Sequence, residues 1–205
     1  MDQETDWTLQ RAKIITTDEL KMILSRAKDV SDTLHLIIAL AYNGAMRITE
    51  VLHLKGEDFR FNYSIVRVRP LKKKTGGVPR PVEVDIPKNV MDAAEAYIKK
   101  HKIHSDGYLF PCPGSKCRTT WCPGGHMYRQ RIQEGFHQVL LDLGIYEKGR
   151  GIHVMKHLKL TNTALETKDP YYVRMIGRHS GIGMSLKYVD YTKSKDRFKA
   201  SEGIV

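Results

Sequence analysis

The sequence predicts a mainly α-helical protein carrying a small antiparallel β-sheet near its middle, an α+β fold. Three observations predict it. Apolar residues recur at helical spacing through most of the 205 residues. The period drops to two in "YSIVRVRPL" and again in "PVEVDIP". Between these runs lies "KKKTGGVPR", a glycine- and lysine-rich turn of the kind that closes a hairpin.

In chain order, "ITTDELKMILSRAKD" opens with Thr16 and Glu19 at capping-box spacing, and Leu20, Ile23 and Leu24 follow at helical intervals. "DTLHLIIALAYNGA" is apolar on most sides, which predicts a buried helix ended at Asn43-Gly44. "RITEVLHLKGEDF" predicts a short third helix through Ile48, Val51, Leu52 and Leu54. After the hairpin, "PKNVMDAAEAYIKKH" predicts a helix with Pro87 near its start. "DGYLFP" predicts a short third strand, and "CPGSKCRTTWCPGGH" is irregular. "MYRQRIQEGFHQVLLDLG" predicts a long helix stopped by Gly144. "HVMKHLKLTNTALE", "DPYYVRMIG" and "GMSLKYVDYT" predict the last three helices. Residues 1–14 read as a tail or linker. Residues 15–205 read as one domain, with a cysteine-rich loop at about 111–126.

The hydrophobic fraction of 41% is enough for a packed core. No apolar run approaches the length of a membrane span, and "MDQETDWTLQRAK" lacks the apolar stretch of a signal peptide, so a cytoplasmic protein is expected. A net charge of +11 in one domain points to a polyanionic partner, most simply nucleic acid.

The 3 cysteines fit no even-numbered disulfide framework. Cys112, Cys117, Cys122 and His126 offer four N/S donors of the type that hold a structural zinc. Their four-residue gaps are not those of common zinc modules, and a loop of reduced or paired cysteines is the alternative.

Four further clusters carry reactive side chains. Arg47 opens a helix directly after a glycine-containing break, a place suited to holding a phosphate. The hairpin turn presents Lys72, Lys73 and Lys74, whose ammonium groups can enter a nucleic-acid groove or protonate a leaving oxygen. His153 and Lys156 share a helix face, with His157 close by. His179 is followed by Tyr188 and Tyr191.

Together these boxes resemble the catalytic domain of the tyrosine recombinases, the phage-integrase and Xer-type family, over roughly residues 15–192. "YNGAMRITEVLHLKGEDF" is similar to that family's first box, "KTGGVPRPVEVDIP" to its β-hairpin, "HVMKH" to its His-x-x-Arg-His box, and "IGRHSGIGMSLKYVDYT" to its closing Leu-Gly-His…Tyr box. Lys156 lies 3 positions after His153, His179 lies 23 after Lys156, and Tyr188 lies 9 after His179, all matching the family. The resemblance implies a site-specific recombinase that breaks and rejoins double-stranded DNA through a 3′-phosphotyrosyl intermediate, without a required cofactor. The host would be a prokaryote, virus or mobile element. It implies Arg47 as a phosphate clamp, and Lys74, with Lys72 as runner-up, as the proton donor to the leaving 5′-oxygen. His153 would serve acid–base chemistry or hold the phosphate, His179 would donate to a phosphate oxygen, and Tyr188 would be the nucleophile. It also implies a free monomer that forms a tetramer on paired sites. Two departures stand out. Lys156 replaces the family's second arginine, keeping the charge and losing the bidentate fork. Arg178 separates Gly177 from His179, a local shift of the glycine. The lysine leaves open a DNA-binding integrase-like protein with impaired or no cleavage. A type IB topoisomerase-like relaxase is the third reading.

Overall fold

The structure is a computed structural model and describes residues 15–69, 80–112 and 125–191. Its elements are α1 (Thr17–Val30), α2 (Asp32–Asn43), α3 (Ile48–Leu52), β1 (Phe59–Arg60), β2 (Ile65–Val68), β3 (Val82–Asp85), α4 (Lys88–His101), α5 (Arg129–Asp142), α6 (Val154–Thr167), α7 (Pro170–Gly177) and α8 (183–191). Helices dominate and the sheet is small, as the sequence predicts.

Helix α2 is the centre of the body. Leu36, Ile37, Ile38 and Leu40 are all buried, so it has no solvent face, and α1, α3, α4, α5 and α6 pack around it. The caps explain where the helices begin. The Thr16 hydroxyl accepts from the Glu19 N–H at 3.1 Å, and Glu19 Oε2 accepts from the Thr16 N–H at 2.6 Å, the reciprocal box the spacing predicts. Ser31 starts α2 and Asp169 starts α7 in the same manner, with Pro170 in the first turn. Gly144 lies just beyond α5 at φ +68°, a left-handed conformation that glycine adopts at little cost.

The strands "YSIVRVRPL" and "PVEVDIP" pair antiparallel, with Val66 opposite Val84 and Val68 opposite Val82. Val66 and Val68 face the core. The hairpin tip with Lys72, Lys73 and Lys74 lies outside the described residues, as do Cys117 and Cys122.

Two predicted elements differ. The third helix stops at Leu52, and a 3₁₀ turn at Gly56–Asp58 leads into β1, which supplies the third strand of the sheet. The cause is tertiary. A Cβ on Gly56 would sit 2.8 Å from the His104 carbonyl oxygen, so only glycine lets the 104–107 turn dock there. The segment "DGYLFP" meets residues 54–55 instead of the sheet. Tyr108 bridges Lys55, and the Leu109 N–H donates to the Leu54 carbonyl at 2.7 Å.

A second, smaller apolar cluster brings the C-terminal helices onto α6. It comprises Ala45, Leu160, Ala164, Val173 and Val189, with Ile176 and Tyr188 packed against it. This cluster sets the height of α8 over the site.

Thr16→Ala removes the hydroxyl acceptor of α1 and is expected to lower stability by about 1 kcal/mol. Urea unfolding should show a reduced midpoint with an unchanged slope.

Candidate active site

The site is built on the break between α2 and α3. Gly44 permits the turn: a Cβ there would lie 2.5 Å from Met46 Cε and 3.1 Å from Ile86 Cδ1. Ala45 takes the positive φ of 44°, and the chain re-enters helix with Arg47 at the cap of α3. The Arg47 N–H donates to Glu50 Oε2 at 2.8 Å, and its Nη1 donates to Oε1 at 2.9 Å. The Arg47 side chain remains 54% exposed, so its guanidinium keeps an open side.

Glu50 is buried, and a second arginine reaches it from the other end of the chain. Arg178 Nη2 lies 3.0 Å from Glu50 Oε2 and donates to the Ala45 carbonyl at 2.7 Å, while Nη1 donates to the Gly44 carbonyl at 2.9 Å. Burial raises the Glu50 pKa, but the Arg178 charge, the Arg47 N–H and Lys156 outweigh it and hold the carboxyl below its ordinary range. Arg178 adopts φ 53° at the end of α7, a conformation that costs a side chain roughly 1 kcal/mol. Its hydrogen bonds to the α2–α3 break offset that cost.

Lys156 lies on α6, 8% exposed, and its Nζ donates to the Gly177 carbonyl at 2.8 Å. Burial, then the Arg178 charge, push its pKa down to about 7, with Glu50 opposing and Arg47 adding to the fall. Gly177 also makes room for a ring: a Cβ there would lie 2.8 Å from both Cε1 and Nε2 of His179. The shifted glycine therefore has a structural cause. It lets His179 lie against the backbone, while the αL position passes to Arg178.

His179 Nδ1 and the buried Ser185 hydroxyl are 2.9 Å apart. Burial first, then the charges of Lys156 and Arg47, depress the His179 pKa to about 4, so the ring is neutral near pH 7. With Ser185 donating to Nδ1, the ring carries its proton on Nε2, as a donor to an anion must. Tyr188 projects from α8 with its ring 6.0 Å from His179 and 6.0 Å from His157. Its hydroxyl is 2.6 Å from His157 Nδ1. Burial, with Arg47 opposing, raises the Tyr188 pKa to about 12, so the phenol is protonated in the free protein.

Arg47, His153, Lys156, His179 and Tyr188 thus line one open cavity of about 390 Å³, drawn from three separate stretches of chain. His157, Arg129 and Ser180 also line it. Lys74 and Lys72 lie outside the described residues, so their place is not part of this geometry. Tyr191 is half-buried and is not among the residues lining the cavity. Sequence reasoning missed the parts played by Arg178 and Ser185. The signals present were an arginine where a glycine was expected, and a serine 3 positions before Tyr188 on the same helix. At the base of the cysteine-rich loop, Cys112 is disulfide-bonded, and His126 Nδ1 lies 2.8 Å from the Met127 carbonyl. A disulfide sulfur offers no thiolate to zinc, so the four-donor set needs the reduced loop. Among the described residues no group of three or more His, Cys, Asp or Glu is placed to hold a metal.

This helical body, three-stranded sheet and Arg–His–Lys–His–Tyr cavity define the catalytic-domain fold of tyrosine recombinases. The phage integrase family profile matches residues 13–195, and the chain belongs to that family. The tyrosine recombinase XerA of Pyrococcus horikoshii is 37% identical over 98 residues, which cover 48% of this chain and 32% of that protein. Among solved structures, the XerA recombinase superposes with a TM-score of 0.71 at 18% identity, covering 94% of this chain and 64% of that one. The XerH post-cleavage complex with palindromic difH superposes with 0.72 at 17% identity, covering 92% and 52%. The Tn1549 transposon integrase with circular intermediate DNA superposes with 0.69 at 21% identity, covering 86% and 62%. The chain therefore spans about a third of the curated relative and half to two thirds of these solved chains.

Removing Arg178 leaves a buried carboxylate short of a partner and two backbone carbonyls unpaired. Arg178→Met is expected to cost about 3 kcal/mol, measured by chemical denaturation. Glu50 contributes stability above its ordinary pKa of 4.5, and that contribution is lost as pH falls through its lower folded value. In Glu50→Gln, the slope of stability against pH below 4.5 should be shallower than in the native chain.

Proposed function

We propose that this chain is the catalytic domain of a site-specific DNA recombinase that breaks and rejoins strands through a 3′-phosphotyrosyl link. The observation that carries the reading is the convergence of Arg47, His153, Lys156, His179 and Tyr188 on one open cavity. In this reaction Tyr188 Oη attacks the scissile phosphorus. The Oη–P bond forms, the P–O5′ bond breaks, and the phenol proton leaves. A proton passes to O5′, and the hairpin lysine Lys74, or Lys72, is assigned that role by its family resemblance. A second 5′-hydroxyl then attacks the phosphotyrosine and restores the tyrosine. The covalent link conserves the phosphodiester, so the cycle needs no nucleotide cofactor.

Charge collects on the non-bridging oxygens during transfer, and fixed cations stabilise it. Arg47 has the open guanidinium for this, Lys156 the buried ammonium, and the His179 Nε2–H a neutral donor. His153, exposed at the start of α6, serves acid–base chemistry or phosphate binding. Double-stranded DNA is the partner that the +11 net charge and the family reading support. A free monomer assembling as a tetramer on paired sites, working in the cytoplasm, completes the reading. Among the described residues no helix is long and apolar enough to cross a membrane.

Two measurements test it. A covalent adduct should be trapped from a pool of nicked duplexes of randomised sequence, and it should vanish in Tyr188→Phe but persist in Tyr191→Phe. Lys156→Ala should slow adduct formation by roughly 10²–10³, the scale of losing one preorganised donor. The Lys156 pKa of about 7 rises when a phosphate arrives, so DNA binding at pH 7–8 takes up a proton. Calorimetry in buffers of different ionisation enthalpy should detect that uptake, and Lys156→Arg should abolish it.

A further inference from the structure

We propose that His157 is the general base that accepts the Tyr188 proton as Oη attacks phosphorus. The proposal rests on Tyr188 being the nucleophile. The sequence places His157 one turn after His153, at the end of the HVMKH box, without a role of its own, and the geometry gives it a task. Its Nδ1 is 2.6 Å from Tyr188 Oη. Tyr188 is protonated in the free protein, and in the Nε2–H tautomer of His157 its phenol O–H donates to Nδ1. A base must lie within hydrogen-bond reach of the proton it removes, and this one does before any substrate is bound.

The other histidines are arranged for other work. His179 Nδ1 is engaged with Ser185, and its ring lies against Gly177. His153 stands one turn before His157 on α6 with ring centroids 5.8 Å apart; both rings are exposed, and it is His157 that meets the Tyr188 hydroxyl. His157 is neutral near pH 7 because lost hydration, then the charges of His153 and Lys156, lower its pKa. Arg47, Arg129 and His179 line the same cavity and face it from the other elements. An arriving phosphate brings negative charge beside the ring and raises its basicity at the moment of attack.

The step balances. The Oη–P bond forms, P–O5′ breaks, and the proton moves from Oη to Nδ1 to give an imidazolium. The hairpin lysine supplies the separate proton to O5′. On rejoining, the incoming 5′-hydroxyl attacks phosphorus and yields its proton to the hairpin lysine, the P–O5′ bond forms, the Oη–P bond breaks, and His157 returns its proton to Oη.

The test is single-turnover adduct formation with His157→Ala and His157→Gln, on nicked duplexes trapped as adducts by the native chain. DNA affinity is measured in parallel. The expected result is a loss of roughly 10²–10⁴ in rate for His157→Ala at unchanged affinity, with partial rescue by added imidazole. The His157→Ala rate should climb with pH as the phenol ionises, where the native rate is flat. A duplex with sulfur in place of the bridging 5′-oxygen has a leaving group that needs no acid. It should therefore rescue Lys74→Ala but leave His157→Ala slow. Native-like rates in both His157 variants, or rescue of His157→Ala by the bridging sulfur, would overturn the assignment. An adduct that persists in Tyr188→Phe would overturn the nucleophile reading beneath it, a separate failure.

Discussion

The site depends on one buried carboxylate. Glu50 receives Arg47 from its own helix turn and Arg178 from 128 residues along the chain. A charge with so little exposure has to be paired, and here one partner, Arg47, lines the cavity while the other, Arg178, lies behind it next to the cavity-lining His179. Arg178 extends the link by holding the carbonyls of Gly44 and Ala45. The break that aims Arg47 is therefore fastened to the segment that carries His179. Buried ion pairs of this kind are close to neutral in stability against apolar replacements. Their value here is positional, because Arg47 and the segment that carries His179 share one anchor.

The same anchor bears on the lysine that stands where the family has arginine. Arg47, Arg178 and Lys156 surround a single acid, so the cavity holds more cation than it can neutralise internally. Lys156 yields first, because an ammonium is heavily hydrated in water and loses more on burial than a guanidinium. Burial first, and then that crowding, bring its pKa down to about 7. A phosphate entering the cavity supplies the missing negative charge. The interactions that are strained in the empty site become favourable with substrate, which is the condition for spending electrostatic energy on the reaction and not on the resting fold.

Much of this was legible in the sequence, and the unread remainder has a common cause. Helix period, the Thr16–Glu19 box, the buried character of α2 and the alternation of the hairpin are local, and each appears where the pattern places it. His153, Lys156, His179 and Tyr188, which the offsets connect, line one cavity. What escaped was set by contacts distant in sequence. A two-residue strand at Phe59–Arg60 has no period to detect, and Gly56 takes its role from the His104 turn. Arg178 looked like an interruption of a motif because its partners, Gly44, Ala45 and Glu50, lie at the other end of the chain. Ser185 carries no motif, and His157, though it closes the HVMKH box, gains its partner Tyr188 only through the approach of α8 to α6.

The crowding of cations has a further effect on the histidines. Burial first, and then each positive neighbour, disfavours an imidazolium, so His157 and His179 are held neutral near pH 7. A neutral imidazole has one donor and one acceptor, and a hydrogen bond to one nitrogen settles the role of the other. Ser185 at Nδ1 makes His179 a donor from Nε2, while the Tyr188 hydroxyl uses the acceptor nitrogen of His157. Both rings thus meet a hydroxyl at Nδ1, and they differ in whose hydroxyl it is: the buried Ser185 for His179, and the cavity-lining Tyr188 for His157. The division also separates charge from proton movement. Arg47 and Lys156 supply the positive field, and the histidines handle hydrogen bonds whose direction that field enforces. Replacing either histidine by a permanent cation would add charge where the site is already saturated and remove an acceptor it cannot supply elsewhere.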